Sequence, residues 1–165
     1  MGLEEIQEGD RILIDASIFI YHFTKASAEC RHFLEDCEQG KIQGVTSVVV
    51  LAEVSHRLMA LEALAKGLIT RGNTAQKLRE NPEVVRNLET YQEQLDLIPR
   101  MGISIMNLDL RILQRAAELR RQYGLLTNDS LLAATASLEE IKSIASADHD
   151  FERVDTLRLF QPSDL

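Results

Sequence analysis

The chain has 165 residues, 45% of them hydrophobic and 27% charged, with a formal net charge of −8. That length suits one globular domain, residues 1–165, and argues against two. The acidic balance excludes a broad basic groove that grips nucleic acid by neutralising phosphates alone. Cations seated among carboxylates would reverse that sign locally, and the same balance suits a protein with a basic partner.

The N-terminus, Met-Gly-Leu-Glu-Glu-Ile, is acidic where a signal peptide is basic. No apolar run approaches the roughly 18 residues of a membrane span, so a cytoplasmic protein without a membrane is expected. Next comes Arg-Ile-Leu-Ile-Asp-Ala-Ser-Ile-Phe, residues 11–19. Ile12, Leu13 and Ile14 read as a strand buried on both faces, and Asp15 ends it. Open α/β sheets place ligands beyond the carboxyl ends of their strands, which makes Asp15 a candidate functional residue; the alternative is a cap for the next helix. Ile18–Glu38 reads as one helix, with Phe19, Phe23, Cys30, Phe33, Leu34 and Cys37 near helical spacing and Gly40 closing it. Cys30 and Cys37, the only cysteines, would lie about 10 Å apart on that helix, too far to pair. They lack the C-x-x-C spacing of a zinc site and read as buried thiols in a reducing compartment.

Lys41–Thr46 predicts a second strand, and Ser47 an N-cap for a helix over Val48–Leu61. Glu53 lies among Val48, Val49, Val50, Leu51, Ala52 and Val54, so an apolar surrounding is expected. A buried carboxylate needs a cation, a partner or a proton, and His56 and Arg57 at i+3 and i+4 are within reach. Residues Glu62–Arg100 form a helical excursion, with a start signal at Asn81-Pro82 and a polar helix through Tyr91, Leu95 and Ile98 that Pro99 and Gly102 end. A third strand, Ile103–Met106, leads into a helix over Asp109–Tyr123 with Leu110, Leu113, Ala117 and Leu119 facing inward, Arg111 and Arg115 outward, and Gly124 at its end. Thr127 or Asn128 can cap the helix that runs to Leu138, which puts Asp129 in its first turn, where the helix dipole favours negative charge. A fourth strand, Ile141–Ala147, runs into Asp148-His149-Asp150, and Leu157–Phe160 is the last. Strands alternating with helices predict a three-layer α/β/α domain with a mainly parallel sheet.

Asp15, Glu53, Asp129 and Asp148 follow strand ends or lie in helices that begin just after loops, and right-handed crossovers carry those ends to one edge of the sheet. Carboxylates about 4 Å apart repel by roughly 4 kcal/mol per pair at an effective dielectric near 20. Hard divalent cations relieve this, and an oxygen-only set suits Mg²⁺ or Mn²⁺. Such a cation activates water and stabilises charge on a phosphoryl oxygen, as phosphodiester hydrolysis requires. An aspartyl-phosphate phosphatase would want a second Asp two residues after Asp15, where Ser17 stands. A response-regulator receiver would want paired acids after the first strand and a Lys after the fifth, and the chain has neither.

Ile-Asp-Ala-Ser (14–17), Thr-Ser followed by Glu53 (46–53), Asn-Asp-Ser-Leu-Leu-Ala-Ala-Thr-Ala (128–136) and Ser-Ala-Asp-His-Asp-Phe (146–151) resemble, in order and spacing, the PIN domain, in particular the VapC-like toxin ribonucleases. The resemblance implies a five-stranded parallel sheet between helices and a Mg²⁺- or Mn²⁺-dependent endonuclease for single-stranded RNA. It also implies a homodimer neutralised by an antitoxin. Asp15, Glu53, Asp129 and Asp148 would be the catalytic and metal-binding acids, with Ser17 and Ser146 in support. Asp150 is an alternative fourth acid; Asp148 is preferred because it follows Ser146 as the motif requires. Residues 62–100 exceed what compact toxins of this family carry, so an RNA-processing factor and a non-catalytic PIN-like binding module are the competing readings, with a nuclease for structured DNA a third.

Overall fold

The computed structural model describes residues 1–165 and places five parallel strands in the order β3-β2-β1-β4-β5. They are β1 (Arg11–Ile14), β2 (Gln43–Ser47), β3 (Ser104–Met106), β4 (Ser143–Ala145) and β5 (Arg158–Phe160). The central strand is apolar without alternation because both its faces are covered: Ile12, Leu13 and Ile14 point to alternate sides, and each is 0% exposed. It is flanked by β2, with Ile12 opposite Gly44, and by β4, with Leu13 opposite Ile144. Gly44 is required by the packing, since a Cβ there would stand 3.0 Å from Ile14 Cδ1 and 3.1 Å from both Cys37 Sγ and Ile103 Cγ1. The chain builds outward from β1 to β3 on one side, then returns to lay β4 and β5 on the other. The direction of winding therefore reverses between β1 and β4, which is where sheets of this kind hold ligands.

The expected helix over Ile18–Glu38 is two, α1 (Ala16–Phe23) and α2 (Ala28–Glu38). Lys25 adopts a left-handed backbone at φ 58°, and Ser27 starts the second helix by accepting the Cys30 N–H at 2.9 Å. Both helices turn apolar residues toward the core, so the hydrophobic spacing runs through the break unchanged. Cys30 and Cys37 are buried free thiols, pushed by burial up to about 11 and about 12. Ser47 caps α3 as expected, but that helix continues past Leu61 to span Val48–Ala65.

Residues 62–100 are helical, yet the polar helix expected after Asn81-Pro82 is broken. After α4 (Thr74–Glu80) come α5 (Pro82–Arg86), α6 (Thr90–Leu97) and a 3₁₀ turn at Ile98–Arg100. Glu62 explains the break, because its side chain, 6% exposed, accepts the backbone N–H groups of Glu89 at 3.1 Å and Tyr91 at 2.9 Å. α7 (Leu110–Tyr123) buries Ile112, Ala116 and Leu119 against α8 (Thr127–Leu138). Leu110 and Leu113, expected inward, are 67% and 43% exposed; Asp109 caps the helix through the Ile112 N–H, and the buried stripe runs through Ile112 instead. No helix is long and apolar enough to cross a membrane.

Candidate metal centre at the carboxyl end of the sheet

Asp15 follows β1 directly and caps α1. Its Oδ2 accepts three bonds, from the Ser17 N–H at 3.3 Å, Ser17 Oγ at 2.6 Å and Ser146 Oγ at 2.7 Å. Each serine then accepts a bond from the loop after β4: Ser17 Oγ from the Ala147 N–H and Ser146 Oγ from the Asp148 N–H, both at 3.0 Å. The two hydroxyls thus stitch the β1 end to the β4 end. They hold the orientation of Asp15 while its Oδ1 takes none of these bonds.

Asp129 is the third residue of α8. Leu126 precedes that helix in an extended conformation with no side-chain cap, so neither Thr127 nor Asn128 performs the capping expected of them. The Asn128 amide is left to donate to Glu53 Oε2 at 3.0 Å. Glu53 Oε1 faces the Arg57 guanidinium at 3.5 Å, and the Glu53 side chain is 30% exposed rather than enclosed. The apolar surrounding expected for it is absent because Ala52, His56 and Arg57 give α3 a solvent-facing side there.

Asp15, Glu53, Asp129 and Asp148 line one cavity of about 360 Å³, with Ser17 and Arg57. Carboxylate oxygens of Asp129, Asp148 and Asp150 lie within 4.8 Å of one another. Asp15 and Glu53 stand outside that closest trio but act on it electrostatically. Burial first, then the charges of Asp148, Asp15, Asp150 and Glu53, push the Asp129 carboxyl up to about 6. Asp148 faces the cavity and caps the 3₁₀ turn His149–Arg153 through the Asp150 N–H at 2.8 Å. Asp150 joins the trio while paired with Arg153 at 2.8 Å. The grouped donors of Asp129, Asp148 and Asp150 are all carboxylate oxygens, with Asp15 and Glu53 adding negative charge beside them, which fits a hard divalent cation. The buried Cys30 and Cys37 are not among the cavity's lining residues.

Ile20 and Tyr21 also line this cavity and had no role in the sequence reading. Their signal was the spacing Ser17, Ile20, Tyr21, which puts them on one helix face beneath Asp15. With Glu53 and Arg57 they also line an adjoining, mainly apolar groove of about 870 Å³ along α1 and α3.

Ribonuclease VapC2 of Methanocaldococcus jannaschii is 27% identical over 156 residues, covering 93% of this chain and 95% of the relative. Among solved structures, VapBC2 from Rickettsia felis bound to a DNA fragment from their promoter superposes with a TM-score of 0.60 at 20% identity, over 93% of this chain and 99% of that one. A toxin–antitoxin complex from Klebsiella pneumoniae gives 0.57 at 20% identity, over 89% and 95%. These two likenesses establish the shared fold. The PIN domain pattern itself matches residues 12–157, and the chain belongs to the PIN domain family.

Proposed function

We propose that this protein is an endoribonuclease that hydrolyses single-stranded RNA with Mg²⁺ or Mn²⁺ in the cytoplasm, as the toxin of a toxin–antitoxin pair. The observation that carries the proposal is the convergence of Asp15, Glu53, Asp129 and Asp148 on one cavity at the reversal point of the sheet. The relative named a ribonuclease, aligned over almost the whole chain, supports the choice of RNA.

Asp15, Asp129 and Asp148 would hold the cation, with Glu53 as the fourth acid and Asp150 beside them. When bound, the cation supplies electrostatic stabilisation of the charge that grows on the phosphoryl oxygens and lowers the pKa of water. Ser17 and Ser146 keep Asp15 in one orientation, so its free oxygen is already aimed when substrate arrives. Asn128 does the same for Glu53.

The antitoxin assignment draws on the toxin–antitoxin neighbours. The apolar groove beside the acidic cavity fits an amphipathic segment carrying a basic residue, which would cover the groove and place its charge among the carboxylates. A homodimer belongs to the same proposal, and exposed Leu110, Leu113 and Leu138 offer apolar surface for it.

Cleavage of single-stranded RNA in Mn²⁺ by the purified chain, compared with Asp15→Asn, tests the activity. Loss of about 10²-fold or more in the variant is expected if Asp15 holds the charge-stabilising cation. Equal rates in the two proteins, or no cleavage by the parent once freed of partners, would defeat the proposal.

A further inference from the structure

Arg57 stands where the acidic cavity meets the apolar groove and lines both. In the cavity it shares the lining with Asp15, Glu53, Asp129 and Asp148. The other basic side chain there, His149, is engaged with Glu152 at 2.8 Å. Arg57 reaches Glu53 at 3.5 Å while remaining 59% exposed, and an ion pair that long and that wet contributes little. Glu53 does not depend on it for orientation, because Asn128 holds the other carboxylate oxygen.

A site this acidic has to receive a polyanion. A cation offsets the charge at the scissile phosphate, but neighbouring phosphates still meet carboxylates and need a donor of their own. A guanidinium on a long, exposed stem suits that role, since its planar fork matches two phosphate oxygens. Building on the ribonuclease proposal, we infer that Arg57 exchanges partners: it pairs with Glu53 while the cavity lacks a cation, and it binds a phosphate of the RNA strand beside the scissile bond once Glu53 is drawn to the cation.

The exchange gives Arg57→Ala two effects of opposite sign. Glu53 loses a competitor, so Mn²⁺ binds more tightly; the RNA loses a phosphate contact, so it binds more weakly. A residue that merely braced α3 would weaken both or neither. Calorimetry of the full chain should show Mn²⁺ binding about two- to five-fold tighter in Arg57→Ala, the factor by which an exposed ion pair of this strength competes. Fluorescence anisotropy with a labelled oligouridylate, run in Ca²⁺ over a salt series, should show the slope of log affinity against log salt reduced by about 0.7, the single-strand value for one phosphate. Arg57→Lys, which keeps the charge, should retain the parent slope. An unchanged Mn²⁺ affinity in Arg57→Ala, or an unchanged slope, overturns the inference. Failure of the parent to cleave RNA in Mn²⁺ sinks the ribonuclease proposal instead, and the exchange is then decided by the two binding measurements alone.

Discussion

Asp129 sits half-buried at the first turn of α8, and burial together with four neighbouring carboxylates raises its carboxyl to about 6. A carboxyl raised in the folded state binds a proton that the unfolded chain has already released. Without a cation, stability therefore increases as pH falls from 7 through 6. A cation needs the ionised form, so Mn²⁺ affinity should fall over that same window rather than near 4, where an unperturbed Asp titrates. Calorimetric titrations from pH 7.5 to about 5 would read this, and a flat affinity across pH 6 would refute it. That Asp15, Asp129 and Asp148 line one cavity was legible from the sequence, because an acid just past an apolar strand, or in the first turn of a helix, has few places to point. Glu53 was legible as a member of the set, but not its surroundings: the run Val48–Leu51 hides that α3 is wet on the side of His56 and Arg57. The bond from Asn128 was illegible, because it exists only where α8 goes without the side-chain cap that propensity assigns it.

α3 carries an acid toward each of two neighbours, with Glu53 toward the acidic cavity and Glu62 toward the excursion. Burial of Glu62 disfavours its charge, but the Lys66 ammonium and the backbone N–H groups of Tyr91 and Glu89 outweigh this and hold its carboxyl down at about 2. The Glu62 contribution is therefore complete above its ordinary value of 4.5 and is lost as pH falls toward about 2. Glu62→Gln turns an acceptor into an amide beside two N–H donors. It should cost about 2 kcal/mol at neutral pH, lowering the melting temperature by about 4–8 °C for a chain of this size. Calorimetric scans should also show parent and variant converging at low pH, and a constant difference would contradict the assignment. The same interaction explains why one polar helix was expected across Pro82–Ile98 and two were found. A carboxylate from a distant helix claims the N–H groups at the break, and no local pattern records it. α7 departs from expectation in part for a related reason: Leu119 is buried as expected, but Leu110 and Leu113, spaced as a buried stripe would be, are exposed while α8 packs on Ile112 and Ala116.

For the whole molecule, the order of the sheet decides where chemistry can occur. The alternation of strands and helices made the parallel sheet readable from the chain, since crossovers of one hand leave few alternatives. The position of β4 beside β1 came from the structure, and it brings the loops after those two strands face to face. Ser17 and Ser146 bridge them there, capturing the amide hydrogens of Ala147 and Asp148 although neither residue belongs to a strand. Those two hydrogens should therefore exchange with deuterated solvent as slowly as the amides of β4, even in protein stripped of ions, and Ser17→Ala should release the first of them. Rapid exchange at both positions would mean that the mouth of the sheet breathes open at rest. Slow exchange would mean that the protein keeps a rigid socket at all times and that substrate does no work in shaping it.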